Sequence, residues 1–310
     1  MFYTIEENRI VEMIFEDIDP NQPCIAYLKM EQLKEQVGNL GFDELLVRVD
    51  MGDMSHFRTS YDVYDDYSVA VINVISMQDI TCSSDIIVFV LKKNRFYTIT
   101  IKDDNNTMEA LQSAVMRYQQ NATLEKVIFG TLERLLIDGN RNLELYEQYI
   151  MNMEKELVSG RISVTLNRNI YDMRKQLSVL KNYYQSLVDI GEGLLENENE
   201  IFQDKDLRYI KIFTGKAQRL SDNSQTLSES LIHIREALDA ALNYSMNRIM
   251  KVFTVISVVF HPLMLITSWY GMNFTTMPEI TWRYGYIAVS LLSTLVLAIS
   301  LVYFKKRKWL

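Results

Sequence analysis

The 310-residue chain carries 32 Lys or Arg against 40 Asp or Glu, a formal net charge of −8, and 48% of its residues are hydrophobic. The charge is unevenly spread: from Arg248 onward seven basic residues stand against the single acid Glu279, a net +6, while residues 1–247 carry 25 basic against 39 acidic residues, a net −14. So acidic a body argues against nucleic acid as a partner, and two cysteines outside any CxxC pair, Cys24 and Cys82, support neither a disulfide framework nor a thiolate zinc site.

The N-terminal residues Met1 to Glu7 have no basic start and no apolar core, so no signal peptide is expected there. Residues 1–105 read as a mixed α/β domain. Cys24–Leu28 and Ser68–Ile75 have strand character, and Ile86–Leu91 and Phe96–Ile101 flank Lys92-Lys93-Asn94-Arg95 as a hairpin. Met30–Gln36 is a short helix candidate. From Thr107 the strand signal ends. Residues 106–202 read as a helical region with helices over Met108–Gln119, Leu124–Ser159 and Val164–Leu195, the second broken near Asp138-Gly139-Asn140. No proline occurs between Pro23 and Pro262, which suits long helices.

A single helix is expected from about Asp204 to Trp269, its first part (203–251) forming a stalk. Phe213, Leu220, Leu227, Ile234 and Ala241 recur every seven residues, with Ile210, Ala217, Leu231 and Leu238 in a second seam. Such a pattern fits packing against other copies, and equally an antiparallel bundle within one chain.

Two stretches are long and apolar enough to cross a bilayer, which takes about 20 residues. Val252 to Trp269 lies in a first span (252–270), and Gly285 to Phe304 forms a second (285–304). Basic residues flank them on one side: Arg248 and Lys251 before the first, Lys305-Lys306-Arg307-Lys308 after the second, against Arg283 in the loop 271–284. The positive-inside rule then puts the soluble body, both termini and the tail 305–310 in the cytoplasm and the short loop outside.

The first span carries a polar stripe. Asn247, Met250, Thr254, Ser257, His261, Met264 and Ser268 fall within an arc of roughly 100° at 100° per residue. Lipid cannot satisfy such a face, so it meets either a water-filled path or a neighbouring helix. Because two spans cannot enclose a path, a pore requires a homo-oligomer.

Directly after the first span stands Tyr270-Gly271-Met272-Asn273-Phe274, then Met277-Pro278-Glu279, Trp282, Tyr284-Gly285-Tyr286 and the terminal Phe304-Lys305-Lys306-Arg307-Lys308-Trp309-Leu310. In sequence, spacing and topology this set strongly resembles the CorA-type magnesium transporter family from about Asn247 to Leu310. Arg58 to Tyr67 (RTSYDVYDDY), followed by a strand, looks like a diverged version of the family's N-terminal domain. The resemblance implies a funnel-shaped homopentamer in the cell (inner) membrane, with an α+β cytoplasmic domain, a long helical stalk and two C-terminal transmembrane helices. It implies passive Mg2+ transport driven by the membrane potential, with Co2+ or Ni2+ also passing, no cofactor and no enzyme activity. On that resemblance Gly271, Met272 and Asn273 form the selectivity filter, Asn273 offering carbonyl oxygens to hydrated Mg2+, an ion that sheds water reluctantly. Asn247, Met250, Phe253, Thr254, Ser257, His261 and Met264 line the pore, Phe253 as a hydrophobic constriction. Glu279 concentrates cations at the outer mouth.

Two departures stand out. Many relatives have methionine where this chain has His261, and an imidazole can ligate transition metals or take up a proton. The stretch Leu207-Arg208-Tyr209-Ile210-Lys211-Ile212 lacks the acids that bind regulatory Mg2+ in many relatives, and Asp204 and Asp206 just upstream are the candidate substitutes. The alternatives are a zinc-transporting relative of the same superfamily and a membrane-anchored cytoplasmic sensor that conducts nothing.

Overall fold

The computed structural model describes residues 1–14, 22–32, 59–75, 80, 83–101, 107–118, 120–160, 165–272, 274, 277, 282–307 and 309. Among the sequence-based readings, residues 33–36 of the short helix candidate, Arg58, Cys82, Gln119, Val164, Asn273, Pro278, Glu279, Lys308 and Leu310 lie outside the described residues. The chain divides into two compact units, Met1–Ile234 and Arg235–Leu310.

The first unit is built on a seven-stranded sheet. Its strands are β1 (Phe2–Glu6), β2 (Arg9–Met13), β3 (Cys24–Lys29), β4 (Ser60–Val63), β5 (Tyr67–Ile75), β6 (Ser83–Lys92) and β7 (Arg95–Thr100). The order is β2-β1-β3-β7-β6-β5-β4. All neighbours are antiparallel except β3 and β7, which run parallel with Cys24 opposite Arg95 and Lys29 opposite Thr100. β3 is central and covered on both faces, so five consecutive residues from Cys24 to Leu28 are buried, and the strand reads as one apolar run. One face packs Phe2, Ala26, Leu28, Val88, Val90, Tyr97 and Ile99 into a core cluster. Ile25, Tyr27, Ile87, Phe89 and Phe96, which alternate with these, are equally buried.

Three strands fall outside the sequence expectation, and each has a local reason. β1 and β2 are joined by Glu7-Asn8, both at positive φ (46° and 62°). That is the backbone of a tight two-residue hairpin turn, here without the glycine that usually announces one. β4 is an edge strand of four residues. Its hairpin with β5 closes around Asp65-Asp66, with the rings of Tyr64 and Tyr67 stacked 4.8 Å apart.

Among the described residues six helices follow: α1 (Thr107–Arg117), α2 (Leu124–Arg134), α3 (Gly139–Val158), α4 (Leu166–Glu196), α5 (Leu207–Tyr270) and α6 (Gly285–Lys306). Thr123 caps α2, its hydroxyl accepting the Lys126 amide hydrogen at 3.4 Å. The expected break in Leu124–Ser159 is real but lies earlier: α2 ends at Arg134, and Asp138 takes a left-handed backbone (φ 61°) just before Gly139 opens α3. α2 is tied to the sheet through Tyr27, whose hydroxyl lies 3.1 Å from Thr131 Oγ1. The Thr131 hydroxyl proton goes to the Val127 carbonyl, so Tyr27 is the donor. Tyr183 of α4 donates to the Leu135 carbonyl at 3.1 Å, and Tyr146 of α3 to Gln176 of α4 at 2.8 Å.

The heptad seam of α5 is buried within this one chain. Ile210, Phe213, Ala217, Leu220, Leu231, Ile234 and Leu238 are all covered, as are Ser221 and Ser224, while Leu227 and Ala241 are half-exposed. Of the two readings open for this stripe, packing within the chain accounts for it. From Leu242 onward the same helix changes character: Leu242, Tyr244, Met246, Ile249 and Met250 are between 50% and 75% exposed.

Candidate functional site

The second unit contains the last part of α5 and all of α6. Both helices hold an apolar stretch long enough to cross a membrane, and only 11% and 6% of those stretches are buried within the chain. A core helix of a soluble protein would be mostly covered, so these two need another apolar environment.

The two spans touch along defined faces. Val255 and Val259 of α5 form a buried cluster with Phe304 of α6, with Leu297 packed against it. On α6 the covered or half-covered positions Gly285, Val289, Ser293, Val296, Leu297, Ser300 and Phe304 recur every three or four residues, so they form one stripe. Its small residues permit close helix approach. The polar residues along α6 satisfy themselves: Thr294 donates to the Ser290 carbonyl and Ser300 to the Val296 carbonyl, each at 2.8 Å. At the C-terminal end of α6 the chain turns back, placing the Trp309 ring 5.8 Å from that of Phe304.

The polar stripe of α5 lies on the other side. Asn247, Met250, Thr254, Ser257, His261, Met264 and Ser268 are all exposed, as is Phe253 at 62%. At 100° per residue the centre of this arc is about 150° around the helix from the Val255–Val259 face. The structure thus brings the seven predicted stripe residues together on one face of one helix and leaves that face uncovered.

The chemistry of the stripe follows from its internal bonds. Thr254 donates its hydroxyl proton to the Met250 carbonyl at 2.8 Å, keeping its oxygen lone pairs available. His261 Nδ1 lies 3.2 Å from the Ser257 carbonyl oxygen. A carbonyl can only accept, so Nδ1 carries the proton, and in the neutral tautomer this leaves the lone pair at Nε2. Pro262 follows inside the continuous helix and has no N–H for the Val258 carbonyl. The stripe therefore offers neutral oxygens, thioethers and one imidazole, with no formal charge between Lys251 and Tyr270.

At the end of α5 the Gly271 amide donates to the Thr267 carbonyl at 2.9 Å, and the Met272 amide approaches the Trp269 carbonyl at 3.4 Å. A Cβ on Gly271 would stand 3.0 Å from the Thr267 carbonyl oxygen. Gly271 does not take the left-handed backbone of a helix-capping glycine. Its lack of a side chain matters here for space. Asn273, expected from the resemblance to belong to the filter, and Glu279, expected at the outer mouth, lie outside the described residues.

The candidate regulatory acids sit before α5. Asp204 is exposed, and Asp206 is half-exposed in a turn, its amide donating to the Gln203 carbonyl at 2.8 Å. Among the described residues no group of three or more His, Cys, Asp or Glu comes together to hold a metal ion. Cys24 is buried in the sheet core, and burial pushes its thiol up to about 11, against the pull of Arg95. It is therefore protonated at neutral pH and no ready thiolate ligand. Sequence reasoning missed the contact between the spans at Val255, Val259 and Phe304. A valine pair four residues apart is its signal, but in a helix that is apolar over most of its surface that signal has no contrast.

The CorA-like Mg2+ transporter family model matches residues 27–306. The chain is 31% identical over 166 residues to the cobalt/magnesium transport protein CorA of Thermotoga maritima, a stretch covering 54% of this chain and 45% of that protein. It is 26% identical over 246 residues to the magnesium transport protein CorA of Haemophilus ducreyi, covering 72% and 71%. With the magnesium transport protein CorA of Escherichia coli K12 it is 24% identical over 339 aligned positions, covering 99% of both. The chain thus matches less than half the length of the first relative and nearly all of the third. The complete CorA magnesium transporter of Methanocaldococcus jannaschii superposes with a TM-score of 0.79 at 18% identity, over 100% of this chain and 98% of that one. The cytoplasmic domain of ZntB from Vibrio parahaemolyticus superposes with a TM-score of 0.61 at 13% identity, over 78% and 97%. At these identities both likenesses speak for the fold.

Proposed function

This chain belongs to the CorA-like Mg2+ transporter family, and from that membership we propose that it is a passive channel for Mg2+. Its path is lined by the polar stripe of α5 in a homo-oligomer, five-fold by the family resemblance, with the soluble unit and both termini in the cytoplasm. The observation that carries this reading is the stripe itself: all seven residues are exposed on the side of α5 away from α6, and five of them lie within the apolar span 252–270. A second copy of the chain, repeated around an axis, covers that face and gives its oxygens a water-filled path to line.

The stripe's neutrality suits a hydrated ion. Mg2+ dehydrates reluctantly, so carbonyl and hydroxyl oxygens hold it through its own water. The same neutral oxygens do not trap a divalent cation as a carboxylate ring would. Asn273 at the mouth selects the ion, Gly271 and Met272 form the turn that carries it, Phe253 narrows the path at its inner end, and Glu279 draws cations to the outside. No chemical energy is required, because a divalent ion crossing the full potential gains about 4.6 kcal/mol per 100 mV, twice the single-charge figure. Co2+ and Ni2+, of similar size and hydration, also pass.

The test is Mg2+ flux into liposomes holding the purified protein, under an imposed inside-negative potential, beside an Asn273→Ala variant. Flux in the parent with loss of flux or of selectivity in the variant supports the reading. A folded oligomer that passes neither Mg2+ nor Zn2+ sinks it in favour of a non-conducting sensor. One observation favours a second reading, Zn2+ transport: the bare Nε2 of His261 on the exposed stripe is a competent zinc ligand. Zn2+ flux without Mg2+ flux would select it.

A further inference from the structure

A cavity of about 620 Å3 opens in the first unit, lined by residues of α1, α2, the first turn of α3 and the part of α5 around Leu220. Five cations border it (Arg117, Arg134, Arg141, Lys216 and Arg219) against two carboxylates, Glu133 and Asp138. This net +3 sits in a stretch of chain, residues 1–247, whose own net charge is −14. One carboxylate is already committed. Glu133 accepts from Arg117 Nη1 at 2.9 Å through one oxygen and from Lys216 Nζ through the other. Arg134, Arg141 and Arg219 make no ion pair or hydrogen bond through their side chains with any described residue.

Three uncompensated guanidiniums around one cavity repel each other unless an anion joins them. The fold adds a further positive element. The start of α3, a 20-residue helix, lines the cavity with Gly139, Asn140 and Arg141, and the Asp138 side chain makes no capping hydrogen bond to its N–H groups. Gly139 holds this helix end close: a Cβ there would stand 2.8 Å from Leu220 Cδ1 and 3.0 Å from the Tyr184 hydroxyl.

We propose that this cavity binds a compact di- or triphosphate group. Guanidinium forks match phosphate oxygens two at a time, and the Asn140 and Arg141 amides at the start of α3 supply directed donors. The volume lies in the range of small-molecule sites and exceeds what a single phosphate fills. Ala114, Leu136, Ile137 and Leu220 also line it and give it an apolar wall, which suits a nucleoside. The site prefers the ligand free of Mg2+. Complexation cancels two of the triphosphate's charges, and the carboxylate that could hold the metal, Glu133, is shared by two cations. Occupancy therefore rises as free Mg2+ falls, which would make the soluble unit responsive to the transported ion without an acidic metal site.

The experiment is calorimetric titration of the purified full-length protein with ATP, inorganic tripolyphosphate and adenosine, first with EDTA and then with excess Mg2+. It reads no transport, so its failure leaves the channel reading untouched. Arg141 and Arg219 are exposed, so the double variant Arg141→Gln, Arg219→Gln keeps the parent's unfolding midpoint. It should bind triphosphate at least about ten-fold more weakly, the loss of two charge-assisted contacts, while Arg168→Gln, on an exposed surface of α4, changes nothing. Excess Mg2+ should weaken ATP binding several-fold. ATP binding tighter than tripolyphosphate assigns the site to a nucleotide, and equal binding assigns it to an inorganic polyphosphate. No binding of either at millimolar concentration overturns the proposal, and so does binding unaltered in the double variant or adenosine binding as tightly as ATP.

Discussion

The orientation of the first span can be tested with two substitutions two residues apart. Val259 is 5% exposed in the cluster with Val255 and Phe304, and Ser257 is exposed on the polar stripe. Two residues on a helix are 200° apart, so these side chains point to nearly opposite sides. Val259→Asp puts a carboxylate between two apolar helices inside the membrane. The charge alone costs about 3 kcal/mol on the insertion scale, and the lost valine burial adds roughly 1.5 kcal/mol or more. Together these lower the folded, inserted fraction by a factor of about 10^3, at 1.4 kcal/mol per tenfold. Ser257→Asp on a water-filled path meets almost none of this cost and concentrates cations, so the oligomer forms and its conductance changes. The assay is the yield of protease-resistant oligomer from membranes, followed by Mg2+ flux in liposomes. If Val259→Asp assembles normally while Ser257→Asp fails, the stripe faces lipid or a packed helix, and the pore reading is wrong.

Three further outcomes are expected. His261→Met should leave Mg2+ flux intact and remove any Zn2+ passage, because a thioether replaces the imidazole as the available ligand; an unchanged Zn2+ flux would detach His261 from the path. Thr131→Val strands the buried Tyr27 hydroxyl and should cost about 1–3 kcal/mol in urea unfolding, and adding Tyr27→Phe should recover part of that loss; strict additivity of the two changes would mean the bond does not matter. For Cys24, whose thiol is raised by burial from 9.0 to about 11, the unfolded chain ionises first. Stability from this group is therefore complete below about pH 9 and is lost as pH rises towards 11, by roughly 2–3 kcal/mol. Cys24→Ala should flatten that alkaline limb, measured against the parent at pH 8 and 10.5.

What could be read from the sequence depended on whether one element held the signal. Cys24–Leu28 and Ser68–Ile75 announced themselves because both lie inside the sheet and their apolar residues are consecutive or alternate cleanly. β2 did not, because it is an edge strand with no fully buried side chain, and its turn uses Glu7-Asn8 in place of glycine. The break between α2 and α3 was placed at Asp138-Gly139-Asn140 from residue type, but here the glycine starts a helix, because Leu220 and Tyr184 leave no room for a side chain at that point. The α5 stripe was legible because helix geometry alone collects it. The arginine-lined cavity was not: its cations come from α1, α2, α3 and α5, and nothing in their sequence spacing joins them.

Gly271 shows the difference between a residue type and the reason for it. In a helix terminator, glycine is normally wanted for a left-handed backbone, and alanine there costs about 1 kcal/mol or more. Here the backbone is not left-handed, and the nearest obstacle is the Thr267 carbonyl oxygen, 3.0 Å from a would-be Cβ, with the Ser268 carbonyl at 3.6 Å. One methyl group can be accommodated by a shift of a few tenths of an ångström. Gly271→Ala should therefore fold and assemble with a cost below about 1 kcal/mol, while its shift passes directly to Met272 and Asn273. A branched side chain cannot be accommodated in that way, because its extra carbons meet the same carbonyl that accepts the Gly271 amide hydrogen. Gly271→Val should thus keep its oligomer and lose ion discrimination, read as the ratio of Mg2+ to Ca2+ flux in liposomes. Equal selectivity in the parent, Gly271→Ala and Gly271→Val would mean that the turn after α5 does not position the filter. Failure of Gly271→Ala to assemble would mean that the turn's backbone, more than its space, is what glycine provides.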